Sequence, residues 1–422
     1  MAIEFVLASL AAVSLALLLL VLFEPSLGYH LTAQPPDPAS GEFRRILAAN
    51  TGARLQTART AEVLTDGAAF YGAELAAIHA AARSVHIEAF ILHPSAIGDR
   101  FLEALTERAQ AGVAVRVVVD AIGSFPTPDA YFARLRAAGG RVAWYQPIRW
   151  YTLKRFNNRT HREIIVVDGT TGFVGGAGIG SHWLGPKHRR QAWRDTMLRV
   201  TGPLVAGLQT AFAENWLEST GEILADSAIF PAIDGDAADA PGLVVIGTPS
   251  PARSSPVRVL FQILLAGARD SIDINSPYFL PDPSARSELI AAAGRGVRVR
   301  VITPGRGNNH PIARLASRRR YGELLKAGVE IHEYQPGMIH AKILVVDGLW
   351  CAVGSTNFDS RSFDLNDEIN LAVSDRALAA RLAVDFARDL ALSRRVTYVE
   401  WENRPLGEKA LATLGVFLER QE

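Results

Sequence analysis

The stretch MIHAKILVVDGLWCAVGSTNFDSRSFDLNDEIN, Met338 to Asn370, decides how the rest of the chain is read. It opens as a strand. His340, Lys342, Leu344 and Val346 fall on one face, and Ile339, Ala341, Ile343 and Val345 on the other. Apolar residues on both faces predict a strand in a sheet covered on both sides. An imidazole and an ammonium two residues apart, entering such a strand, are costly unless they have partners. Asp347-Gly348 ends the strand in a turn. Ala352-Val353 begins a second strand, after which Gly354-Ser355-Thr356-Asn357 bends the chain.

Imidazole, ammonium, hydroxyl, carboxamide and backbone N–H groups together suit a phosphate diester. The ammonium and the donors take the charge on the non-bridging oxygens, and an imidazole can attack phosphorus. A lone His-x-Lys is most often a solvated strand end. The full pattern, His340-x-Lys342 with Asp347 and then Gly354-Ser355-x-Asn357, is far more specific. These residues resemble the signature motif of the phospholipase D superfamily. Phe358-Asp359-Ser360-Arg361-Ser362-Phe363 and Leu365-Asn366-Asp367-Glu368-Ile369-Asn370 resemble its bacterial cardiolipin synthase branch.

Outward from this stretch, the chain repeats itself. Ala82 to Glu88 and Ala268 to Asn275 each open a strand. Helices Phe101 to Ala111 and Ala285 to Arg295 follow, then strands Val113 to Asp120 and Val297 to Thr303. Helices Ala130 to Ala138 and Arg314 to Ala327 lead to strands ending at Tyr145 and Tyr334. Alternating strand and helix make each half α/β. The counterpart of the opening stretch is THREIIVVDGTTGFVGGAGIG, Thr160 to Gly180. His161 and Asp168 keep the spacing, and Gly175-Gly176 replace Gly-Ser. Glu163 stands where the motif has Lys, and Gly178 where it has Asn. A carboxylate beside a phosphate diester repels it. Two explanations follow: nearby bases (Lys154, Arg155, Arg159 or Arg162) supply the missing charge and pair with Glu163, or this half has lost catalysis.

Two further acids, Asp195 and Glu368, occupy equivalent regions downstream of the histidines. The resemblance implies that they orient the imidazoles, and the sequence leaves open which acid serves which. Asp168 and Asp347 are carried with the catalytic set by their place in the motif, and read equally as turn residues before Gly. The family's chemistry would run through a phosphohistidine: one histidine attacks, the other protonates the departing alcohol, and a second alcohol displaces the histidine. The resemblance gives the nucleophile to His161; His340, with the fuller cradle, is the alternative. Gly175, Gly176, Gly354, Ser355 and Asn357 are the substrate-binding candidates. No cluster has metal-ligand spacing, so neither metal nor cofactor is expected.

The 422 residues include 44 basic and 43 acidic ones, a net charge of +1 that gives no support to a nucleic-acid partner. The single cysteine, Cys351, lies in an apolar run and reads as a small core residue. Phe5 to Phe23 carries no charge and as a helix spans about 28 Å, close to a bilayer core. It reads as an uncleaved anchor rather than a signal peptide, since no Lys or Arg precedes it. Ile148 to Phe156 mixes basic and aromatic residues and suits a lipid headgroup layer, or an ordinary surface loop. Arg314, Arg318, Arg319 and Arg320 form a basic group, either a solvated face or an anionic-lipid contact.

The expected architecture is two tandem phospholipase D-like α/β sandwich domains related by a pseudo-twofold axis, with an N-terminal transmembrane helix. Residues 1–30 form the anchor and 31–60 a linker. The domains span 61–230 and 246–395, joined by a linker over 231–245, and a helical tail covers 396–422. The resemblance implies a phosphatidyltransferase making cardiolipin from phosphatidylglycerol, at the bacterial inner membrane with its catalytic part in the cytoplasm. The rivals are a hydrolase releasing phosphatidic acid, a nuclease, and a catalytically degenerate lipid-binding homologue.

Overall fold

The computed structural model of this chain describes residues 27–150, 157–185, 192–249 and 254–409, with residues 5, 6, 9 and 12–14 before them. Two sheets organise it. The first is built from β1 (Thr60–Thr65), β2 (Ser84–Ala89), β3 (Ala114–Asp120), β4 (Arg141–Tyr145), β5 (Ile164–Val167), β6 (Thr171–Gly175) and β7 (Thr196–Thr201), in the order β1-β7-β6-β5-β2-β3-β4. The second contains β8 (Ala240–Gly247), β9 (Ser271–Asn275), β10 (Arg298–Pro304), β11 (Glu330–Tyr334), β12 (Ile343–Val346), β13 (Trp350–Gly354) and β14 (Asn366–Ser374), in the order β8-β14-β13-β12-β9-β10-β11. The order is the same in both halves. In each, the first three strands after the edge pair in parallel through helical crossovers, and the central hairpin runs antiparallel.

Local signals place the helices. Ser95 caps Ala96–Gln110 by accepting from Gly98 N–H at 3.1 Å, and Asp282 caps Pro283–Gly294 by accepting from Ala285 N–H at 2.8 Å. Proline in the first turn of the second helix costs no intrahelical bond.

Both faces of the two central strands are buried, as the reading of Met338 to Asn370 requires. Ile165 and Val167 pack into the outer core of the first half, and Leu344 and Val346 into that of the second. Ile164 and Val166 meet Ile343 and Val345 in a third core shared between the sheets, with Val174, Cys351 and Val353. Each such side chain contributes about 1.5–3 kcal/mol on burial, so the shared core binds the halves firmly. Regular strand pairing begins only at Ile343; ahead of it Ile339 bridges Arg194 across the seam, while the Lys342 carbonyl still accepts from Gly354 N–H of its own hairpin.

Several segment readings change. The stretch read as a linker over 31–60 holds a helix, Gly41–Thr51, capped by Ser40, whose Phe43 and Leu47 are buried in the core of the second half. Gly267 lets it approach: a Cβ there would lie 2.6 Å from Phe43. Next to it, Gln56–Ala58 pairs with β8, so the chain visits the second sheet before building the first. The linker over 231–245 ends within β8. Where the second domain meets the tail, Ser393–Val396 pairs with β11, and in the tail Trp401 packs on Gly322 of the helix Pro311–Lys326. The stripe Leu411, Leu414, Leu418 lies outside the described residues, as do 13 of the 19 residues from Phe5 to Phe23. Among the described residues no helix is long and apolar enough to cross a membrane.

Candidate active site

Each central hairpin turns at an Asp-Gly pair with both residues at positive φ: Asp168 at 52° and Gly169 at 66°, Asp347 at 53° and Gly348 at 55°. That conformation favours Asp-Gly over most pairs. The Asp168 carboxylate accepts from the backbone N–H groups of Ala82, Arg83 and Ser84 at 3.0, 2.7 and 2.8 Å. Asp347 does the same for Arg269, Asp270 and Ser271 at 2.9, 2.7 and 2.9 Å. Both therefore tie the turn to the start of the neighbouring strand, at the end of the hairpin away from the histidines. Their oxygens are engaged by backbone, which favours the turn reading of the two over the catalytic one.

At the other end, the two halves join by backbone. His161 N–H donates to the Asp367 carbonyl at 2.9 Å, and His340 N–H donates to the Arg194 carbonyl at 2.7 Å. Each histidine is thus paired with the residue preceding an acid of the opposite half. The side chains follow. His340 Nδ1 lies 2.9 Å from Asp195 Oδ2, and His161 Nδ1 lies 3.0 and 3.2 Å from the Glu368 oxygens. The acids cross the seam. Both acids are buried, which pushes them up, but the imidazole hydrogen bonds and charges reverse this and hold both below the usual carboxylate range. An ionised acid on Nδ1 fixes that nitrogen as the proton carrier and leaves Nε2 facing the site.

The surroundings of the two rings differ. Burial and the nearby Lys342 ammonium lower His340 to about 4. Lys342 Nζ lies 2.9 Å from both ring nitrogens and donates to the His340 carbonyl at 2.9 Å. Burial lowers Lys342 itself to about 8, against the pull of Asp195, Glu368 and Glu163. Trp193 and Trp183 wall His340, their rings 5.1 and 5.9 Å away, while Phe90 stands edge-on to His161 at 5.3 Å. Arg194 anchors the Asp195 segment to the second half through Asp389 at 3.1 Å. Nothing in the spacing of these three aromatic residues distinguishes them from core aromatics in the sequence; only Trp193, two residues before Asp195, stands beside a site candidate.

The substrate-binding candidates separate into several groups. Gly354 and Gly175 are glycines for packing: a Cβ would sit 2.0 Å from the Ile369 carbonyl in one case and 2.4 Å from the Thr196 carbonyl in the other. The Ser355 hydroxyl is bonded to Glu368 Oε2 and accepts from Ile369 N–H at 3.1 Å, so it positions the acid. Asn357 is buried, and its carboxamide oxygen has no hydrogen-bond partner among the described residues. Gly176 makes room for the second half: a Cβ there would lie 2.9 Å from the His340 carbonyl and from Lys342 Cδ.

The two departures in the first motif are one exchange. A Cβ on Gly178 would lie 2.7 Å from Glu163 Oε1, so the Glu163 carboxyl occupies the space a larger residue there would need. The expected pairing of Glu163 with a neighbouring base does not form with the described ones. Arg162 is buried against Glu214 at 2.8 Å and Asp367 at 3.4 Å, and Arg159 lies 3.6 Å from Asp120. Tyr151 to Phe156, with Lys154 and Arg155, lie outside the described residues. In the basic group on Pro311–Lys326, Arg314 and Arg318 turn to the buried Glu333 rather than to solvent.

The chain matches the family described as "Cardiolipin synthase, PLD-like domain" over residues 75–216 and 262–390. It is 36% identical over 346 residues to a cardiolipin synthase of Alkalihalophilus pseudofirmus, covering 82% of this chain and 68% of that one. A cardiolipin synthase of Geobacillus kaustophilus is 35% identical over 345 residues, covering 81% and 68%. Among solved structures, the phosphatidylserine synthase of Haemophilus influenzae aligns with a TM-score of 0.71 at 15% identity, over 90% of this chain and all of that one. At that identity the likeness speaks for the fold. The fold and these matches make the chain a member of the phospholipase D superfamily. Within it, the chain belongs to the bacterial cardiolipin synthase branch.

Proposed function

We propose that this chain is a phospholipase D-type phosphatidyltransferase that makes cardiolipin from phosphatidylglycerol, or from phosphatidylglycerol and a second phospholipid. The observation that carries the reading is the crossed pairing of His161 with Glu368 and His340 with Asp195. It supports two imidazoles presented to one phosphate from opposite halves. One Nε2 attacks phosphorus, the phosphorus–glycerol oxygen bond breaks, and the other imidazole gives its proton to the leaving glycerol. The hydroxyl of the second lipid then attacks phosphorus, its proton passes to that same imidazole, and the phosphorus–nitrogen bond breaks. Lys342 and Asn357 take the charge on the non-bridging oxygens. No metal or cofactor enters the scheme.

The family resemblance gives the attack to His161. The reverse assignment is favoured by the lowering of His340 to about 4, which leaves it unprotonated at neutral pH. Digestion of the labelled intermediate, quenched by denaturation at alkaline pH where a phosphorus–nitrogen bond survives, decides between them by which histidine peptide carries the label.

The proposed setting is the bacterial inner membrane, with Phe5 to Phe23 as a single pass and the catalytic part in the cytoplasm. Phe125 and Trp150 support an interfacial orientation: they lie in the loops leaving the ends of β3 and β4, 79% and 84% exposed. The proposed domains remain 61–230 and 246–395, with the helix Gly41–Thr51 belonging to the second. The test is to incubate the detergent-solubilised protein with labelled phosphatidylglycerol, with His340→Ala as control. Cardiolipin and free glycerol from the intact protein alone are the expected result. Phosphatidic acid as the only lipid product would make water the acceptor and the enzyme a phospholipase.

A further inference from the structure

We propose that Glu163 acts as a neutral carboxylic acid that donates a hydrogen bond to a non-bridging oxygen of the substrate phosphodiester, in the place where the second half offers the Lys342 ammonium. This rests on the phosphoryl-transfer reading above and names a residue that reading does not use. Glu163 follows His161 by two residues, as Lys342 follows His340, so both project from equivalent points of the repeat. Its carboxyl group lies against Gly178, the position where the second half carries Asn357.

The setting disfavours a carboxylate. Glu163 is 5% exposed. Oε1 accepts from Ile91 N–H at 3.2 Å, and among the described residues no cation pairs with it. The groups around it are mostly acids or acid-like. Tyr71 and Glu74 face it from the helix Asp66–Ala80, and Asp195 from the start of β7. A cavity of about 10 Å³ is walled by Glu74, Glu88 and Glu163 together. Burial drives Glu163 well above the usual carboxylate range, outweighing the Ile91 N–H, the Lys342 charge and the Phe90 N–H, which all favour the charged form. A carboxylate here would set a negative charge against the incoming diester, whereas a carboxylic acid turns an O–H toward it. A buried acid kept neutral so that it can donate is an established device. The exchange of Lys for Glu therefore preserves donation while removing a second buried cation from beside Lys342.

The test compares phosphatidyl transfer by the full-length protein and its Glu163→Gln, Glu163→Ala and Glu163→Lys variants, from about pH 6 to about pH 9. Gln keeps a donor of the same shape and cannot ionise. It should retain activity within about threefold at neutral pH, while Ala loses about 10²-fold in kcat. The ratio of Glu163→Gln to wild-type activity should rise with pH, as wild-type Glu163 ionises. A Glu163 that works ionised, holding Lys342 in its charged form, predicts the opposite slope and would overturn the proposal. So would a Gln variant as poor as Ala, or a Lys variant faster than wild type. Infrared difference spectra of wild type against Glu163→Gln read the protonated carboxyl stretch directly. Its absence at neutral pH overturns the proposal. Because this reading needs no turnover, it still decides the matter should the wild type fail to transfer phosphatidyl groups, a failure that would fall on the functional reading instead.

Discussion

The two halves share a frame down to the turn residues and differ where phosphate would be held. Both hairpins turn at Asp-Gly with the Asp tied to three backbone amides, and both histidines meet an acid of the other half. Yet the second half offers Lys342 and Asn357, and the first offers Glu163 and Gly178. The lesson is that a repeat can hold its scaffold under symmetry while its charges diverge. The scaffold is constrained by strand pairing, which the halves need equally. The charges are constrained by a single substrate anion, which needs only one strong cradle.

The largest effects should come from the parts the halves share in kind. His161→Ala and His340→Ala should each lower transfer by at least about 10⁴-fold in steady-state assays. The comparison breaks if quenched label appears on both histidine peptides in equal amount. Next come the crossed acids. Asp195→Asn and Glu368→Gln should each cost about 10³–10⁴-fold in kcat by releasing the imidazole tautomer. Nitrogen NMR of the rings should show Asp195→Asn disturbing His340 more than His161, and Glu368→Gln the reverse. Lys342→Ala should cost about 10²–10³-fold. Burial lowers Lys342 to about 8, so a step needing its ammonium is supported below that pH and lost as pH rises through it. Lys342→Arg, always charged, should move that alkaline fall upward in a pH–rate profile.

Smaller effects sharpen the difference between the halves. Gly178→Asn should destabilise the fold by about 1–3 kcal/mol, because its Cβ meets Glu163 Oε1 at 2.7 Å and the Ile91 carbonyl at 2.6 Å. Adding Glu163→Lys should recover part of that loss, a coupling of about 0.5–3 kcal/mol in a thermal-melt double-mutant cycle. The Ile91 carbonyl prevents full recovery. Smallest in activity are Asp168→Ala and Asp347→Ala. Each should cost about 1–3 kcal/mol of stability by orphaning backbone amides, with kcat of the folded protein nearly unchanged.

Much of this architecture is legible from residue order. The alternation of apolar residues from Ile339 to Val346 carries the two-sided burial, and the repeat of Asp-Gly turns carries the two sheets. What stays hidden depends on partners distant in sequence. The helix Gly41–Thr51 has a clear cap in Ser40, but the core it enters is supplied by residues beyond Leu243. Which acid serves which histidine is a property of the seam and leaves no mark on spacing. Arg318 reads as part of a solvated basic run because Glu333, its buried partner, sits on another element. Glu163 looks repulsive in isolation, since sequence shows its charge type and not its burial.

The crossing of the acids also sets a clock during synthesis. His161 is made 207 residues ahead of Glu368. At about 5–20 residues per second, the ribosome needs roughly 10–40 s to deliver one after the other. Throughout that interval the nascent first half carries an imidazole with no acid to orient it, and until His340 is made it has no second histidine to act with. A chain arrested before Asn366 should accordingly be inert toward lipid, however well its first sheet has formed. Competence arrives as a single late event, when β14 closes beside Arg159 and Thr160, next to His161, so an unfinished chain has no complete site.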